Sequence, residues 1–98
     1  MPADTIWKYP LELDDTVLIA MPAGALPLSV AMQGDTPCLW AAVDSAAARQ
    51  EVHRFYVRGT GHPLRLDPSA CRFLGTLLLQ PLGLVFHVFD GGAQEEEG

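Results

Sequence analysis

Turn signals recur along this chain too closely for any long helix to form. Nine glycines and eight prolines fall between short runs that are either apolar or alternate with period two, the periodicity of a strand whose faces meet different environments. Residues 5–9 read as a strand closed by Pro10, and Asp14-Asp15 as a turn before a strand at 16–21. Pro22 and Gly24 make the next turn, and Leu26, Leu28, Val30 and Met32 alternate on one face of a strand ending at Gln33. Pro27 cannot donate to a ladder, so this strand begins at a sheet edge or a bulge. A hairpin connection at 33–36 leads into 37–43, and 44–50 reads as one or two helical turns capped by Asp44 or Ser45, or as a wide loop. Strands follow at 51–58, 71–79 and 84–89, with turns at Asp67-Pro68 and across 80–83.

The expected fold is mainly β: an antiparallel meander of six or seven short strands forming a small sandwich or open barrel, with little helix. A second subunit covering the sheet is the other solution, and a homo-oligomer is expected. The last two strands are apolar on both faces, which predicts central positions or an interface. Residues 1–90 read as one domain and 91–98 as an acidic disordered tail.

Hydrophobic residues make up 49% of the chain and charged residues 18%, which excludes a disordered segment. Three of the twelve acids are Glu95, Glu96 and Glu97, and removing them from the formal charge of −6 leaves −3. Lys8 is the only lysine. That balance argues against direct nucleic-acid binding, and no run is apolar enough to span a bilayer. With no signal-peptide pattern, Cys38 and Cys71 are expected as reduced, buried thiols in a cytoplasmic protein.

The strongest functional candidate is the loop Gly59-Thr60-Gly61-His62-Pro63. In the strand before it, His53, Phe55 and Val57 alternate with Arg54, Tyr56 and Arg58, so two arginines flank a tyrosine on the outer face at the loop's mouth. Guanidinium groups, with backbone amides around Gly59 and Gly61, suit an anion, and Tyr56 suits a planar ring. The bland alternatives are a tight turn that needs glycine for its geometry and a solvated face whose arginines pair with carboxylates. No Lys-Ser or Lys-Thr pair and no following helix mark a nucleotide loop of the familiar kinds. His53, His62 and His87 lack the spacing of metal ligands, and His87 shares a face with Val85 and Phe89, which suggests a packed, hydrogen-bonded residue. No cofactor motif is present, and no serine or cysteine stands in a nucleophilic arrangement. The aromatic residues other than Tyr56 are expected mostly in the core.

Taken in order, Ile6-Trp7-Lys8-Tyr9-Pro10, Met21-Pro22-Ala23-Gly24-Ala25, Pro37-Cys38-Leu39-Trp40-Ala41, Gly59-Thr60-Gly61-His62-Pro63 and Leu84-Val85-Phe86-His87-Val88-Phe89 resemble a family of small proteins encoded by bacteriophages and prophages. The resemblance implies a viral accessory protein acting in the cytoplasm of a bacterial host. Its expected role is non-enzymatic: capture of a nucleotide-type anionic signal by Arg54, Tyr56, Arg58, Gly59, Thr60, Gly61 and His62, in a pocket between subunits, or direct binding of a host defence protein. The alternatives are a virion structural or assembly protein and a small nucleotide hydrolase that uses His62 with Asp67 or Asp90.

Overall fold

The structure, a computed structural model, describes residues 3–94. Seven strands form: β1 (Thr5–Pro10), β2 (Thr16–Pro22), β3 (Leu26–Gln33), β4 (Thr36–Val43), β5 (Gln50–Gly59), β6 (Arg72–Leu79) and β7 (Leu84–Gln94). A single 3-10 turn at Pro68–Ala70, capped by the Asp67 carboxylate, is the helical content among the described residues. The 44–49 segment is a loop, not a helix; Asp4 anchors it by accepting bonds from the Ser45 amide at 3.0 Å and hydroxyl at 2.8 Å. Those bonds hold the Asp4 carboxyl below its ordinary pKa.

The strands form a small open sandwich of two antiparallel sheets, ordered β1-β4-β3 and β2-β5-β7-β6. The strand order departs from a simple meander. Only β3–β4 and β6–β7 are consecutive neighbours: the connections after β1, β2 and β4 carry the chain from one sheet to the other, and β7 inserts between β5 and β6. Leu11, 4% exposed, plugs the first of these crossings. Between the sheets lie Val17 and Met21 from β2, Leu39, Ala41 and Val43 from β4, and Phe55 and Val57 from β5.

Three register shifts explain where simple alternation fails. The first, between Pro27 and Ser29, adds a residue to β3. Pro27 and Val30 therefore turn inward, and Leu26 and Leu28 are left 49% and 41% exposed; the face shared by all four alternating residues does not survive the bulge. The second, between His53 and Phe55 in the β5–β7 ladder, lets Gly91–Gln94 continue β7 and pair with Val52 and His53. Those four residues are therefore strand, not tail, and Glu95–Glu97 lie outside the described residues. The third lies between Phe73 and Gly75, in β6.

Strand β7 is central, as its apolar pattern suggests, but β6 is an edge. The aromatic residues are not mostly core either. Phe55 is fully buried, whereas Trp7 is 40% and Phe73 54% exposed, and Trp40 is half-buried on the outer face of its sheet.

His53 is an anomaly of the interior. It is 4% exposed and stacks on Phe55 with ring centroids 6.1 Å apart, yet neither ring nitrogen has a hydrogen-bond partner among the described residues. Burying a polar ring without partners costs about 1–3 kcal/mol. His53→Leu is therefore expected to raise the unfolding free energy by about 1–2 kcal/mol, read as a higher urea midpoint at unchanged slope. A lower midpoint would mean that the imidazole is satisfied in solution.

Candidate functional site

The β5 alternation stands as read. His53, Phe55 and Val57 are buried, and Arg54, Tyr56 and Arg58 lie half-buried on the outer face. At the end of this strand the chain turns through Gly59-Thr60-Gly61-His62, closed by a 3.1 Å bond from the His62 amide to the Gly59 carbonyl. Gly61, at the third position, has φ +84°, which glycine adopts without strain. The His62 ring then folds back over Gly59, so closely that a Cβ on residue 59 would stand 2.8 Å from Nδ1. Two glycines thus serve two different needs: conformation at 61 and close approach at 59.

Arg58 organises the surroundings. Its Nε donates to the Leu64 carbonyl at 2.5 Å, and its Nη1 donates to the carbonyls of Asp15 at 2.6 Å and Val57 at 3.1 Å. The guanidinium also lies 5.4 Å from the Tyr56 ring centroid. These bonds tie the turn before β2 and the segment after the glycine loop to the end of β5. Nη2 makes no hydrogen bond among the described residues.

Two concavities share the His62 loop. The first, about 210 Å³, is lined by Asp15, Arg58, Gly59, His62, Pro63 and Arg65. The second, about 350 Å³, is lined by Gly59, Thr60, His62, Gly83 and the apolar run Leu84, Val85 and Phe86. Arg65, unread as a site residue in the sequence, holds a left-handed backbone at φ +52°. That conformation is uncommon and mildly strained for a residue with a Cβ. Within the first cleft, two guanidinium groups outweigh the Asp15 carboxylate, with the exposed His62 imidazole beside them.

The far wall is braced by His87. Its Nε2 lies 2.7 Å from the Thr60 hydroxyl and its Nδ1 3.1 Å from the Thr76 hydroxyl, so each nitrogen of the ring has a partner. This is the packed, hydrogen-bonded residue that its strand position suggests.

Of the seven residues read as a site, Arg58, Gly59, Thr60 and His62 meet at the two clefts, and Gly61 shapes their turn. Arg54 and Tyr56 stand apart, further along the sheet face. The backbone contribution also differs from expectation. The Thr60 amide bonds the Val85 carbonyl and the His62 amide bonds Gly59, so neither amide is left to cradle an anion. Among the described residues neither Arg54 nor Arg58 pairs with a carboxylate. Cys38 and Cys71 are both unbridged, Cys38 buried and Cys71 only half-buried.

A family model for a domain of unknown function, DUF7352, matches residues 2–98, nearly the whole chain. The chain belongs to the DUF7352 family. No curated protein and no solved structure matches it. For this DUF7352 domain, function must therefore be argued from the residues at the clefts. Among the described residues no group of three or more His, Cys, Asp or Glu stands close enough to hold a metal ion, and no helix is long and apolar enough to cross a membrane.

Proposed function

We propose that this domain is a non-enzymatic binding protein that captures a small anionic, nucleotide-type ligand at the His62 loop. The observation that carries the reading is the pairing of two unlike clefts across one histidine. Arg58 and Arg65 offer a cationic wall for a phosphate on one side of His62. Leu84, Val85 and Phe86 offer an apolar wall for a planar ring on the other. The five motifs that resemble phage and prophage proteins support an accessory protein inside an infected bacterium, where removing a nucleotide signal would blunt a host defence.

Arg65 provides the cleaner test, because it makes no hydrogen bond among the described residues and its removal leaves the fold's bonds in place. Calorimetric titration with AMP and with a cyclic dinucleotide is expected to give saturable binding that Arg65→Glu weakens by about tenfold or more, the loss of one charge-assisted contact. Binding unchanged in that variant would remove the cationic wall from the site. Release of a hydrolysed product, lost in His62→Ala, would replace capture with catalysis.

A further inference from the structure

The outer face of the four-stranded sheet carries a feature separate from the clefts. The ladder registers place Thr16 opposite Tyr56, Tyr56 opposite Phe89, and Phe89 opposite Phe73. Three aromatic rings therefore form one row across β5, β7 and β6, spanning about 10 Å at the usual spacing between strands. The rings of Phe73 and Phe89 lie 5.4 Å apart and are tilted by 57°. The Tyr56 ring lies against Gly91, where a Cβ would come within 2.6 Å of it. Among the described residues no layer covers the row: apart from Pro22 at the far end of β2, the outward positions of β2, β5, β6 and β7 are half-buried or exposed, and Phe73 is 54% exposed.

Charge on this face runs against the charge of the chain. The outward positions near the row are Leu18, Arg54, Arg58, His87, Thr76 and Leu78, and no outward position on the four strands is an Asp or Glu. The Arg54 side chain makes no hydrogen bond or ion pair among the described residues. Of the nine acids other than Glu95–Glu97, seven lie in loops and two at inward register positions, Glu51 opposite Met21 and Asp90 opposite Phe55. The net charge of the whole chain, which argues against nucleic acid, does not describe this face.

We infer that the aromatic row Tyr56–Phe89–Phe73, flanked by Arg54 and Arg58, binds single-stranded nucleic acid by stacking bases on the exposed Phe73 ring and the half-buried rings of Phe89 and Tyr56 beside it. An uncovered sheet with aromatics in register and arginines at its border provides base-stacking platforms beside phosphate contacts. A duplex, whose bases are already stacked, gains nothing from the row. A second copy of this chain fits the same face poorly, because docking it there would oppose arginine to arginine with no strand carboxylate between them.

Fluorescence anisotropy with a labelled deoxythymidine oligomer of about a dozen nucleotides, at low salt, tests this directly. Binding is expected to weaken as salt rises, to exceed binding to a duplex of the same length, and to fall by about tenfold or more in Phe73→Ala, the range of one lost base stack. Phe73 is exposed enough for that variant to keep its fold, and Arg54→Glu is expected to weaken binding as well. Retained oligomer binding in Arg65→Glu, with AMP binding lost, would separate this face from the His62 clefts. Three results would each overturn the inference: no anisotropy change, oligomer binding indifferent to Phe73, or self-association that Phe73→Ala abolishes. Phe73-dependent binding of an acidic peptide without oligomer binding would likewise overturn it.

Discussion

Gly75→Ala is expected to lower the unfolding free energy by about 2–4 kcal/mol, combining backbone strain with overpacking. The glycine sits at φ +154°, inside the region that residues with a Cβ rarely adopt, on the bulge that bends β6. It also faces β3 across the junction of the two sheets. A Cβ there would stand 3.1 Å from Val30 Cγ2 and 3.3 Å from the Val30 carbonyl oxygen, and the latter is backbone that cannot swing aside. Edge strands β3 and β6 are where the sheets come together, so the insult falls on the junction of the sandwich. For a domain of this size the melting temperature is expected to fall by roughly 10–25 °C. An alanine tolerated within about 0.5 kcal/mol would mean that the sheets are not pinned at this contact.

Arg58→Ala is the second large effect, and it differs in kind from Arg65→Glu. Removing the guanidinium leaves the Leu64 carbonyl without its donor and the Asp15 carbonyl with only the Val57 amide, at 3.1 Å. Hydrogen bonds to charged groups support a loss of about 2–3 kcal/mol in total at a half-buried site. Ligand binding is expected to disappear as well, since Nη2 makes no hydrogen bond among the described residues. Lysine in its place keeps the charge but reaches fewer carbonyls, so Arg58→Lys is expected to recover part of the binding and little of the stability. Denaturant midpoints measured beside titrations separate the two roles. If Arg58→Ala binds less but unfolds like the parent protein, the bracing role is wrong.

That double role also marks the limit of what sequence alone conveys. The faces of β5 were readable because His53, Phe55 and Val57 alternate cleanly with Arg54, Tyr56 and Arg58, and the structure keeps them so. The positions of most turns were readable from Pro22, Gly24, Gly34 and Gly83. Bulges were not, since one extra residue leaves no periodic mark, and a single shift at Pro27 reversed the fate of Leu26 and Leu28. Strand order was hidden for a related reason: loops as short as those at 11–15 and 44–49 serve a hairpin or a crossing between sheets equally well. Arg65 lay seven residues beyond Arg58 with only the glycine loop between them. The one available hint was a pair of arginines bracketing that loop, and only the turn at Gly61 and the backbone at Arg65 bring both to one cleft.

The central claim is that the His62 loop holds an anion between Arg58 and Arg65. A titration of the isotope-labelled domain with AMP, followed residue by residue through its amide resonances, tests it most directly. Saturable shifts confined to residues 58–65 and 84–86, absent in Arg65→Glu, are the expected result. No shifts at ligand concentrations of about 1 mM, or shifts centred on Phe73 and Phe89 instead, would contradict it.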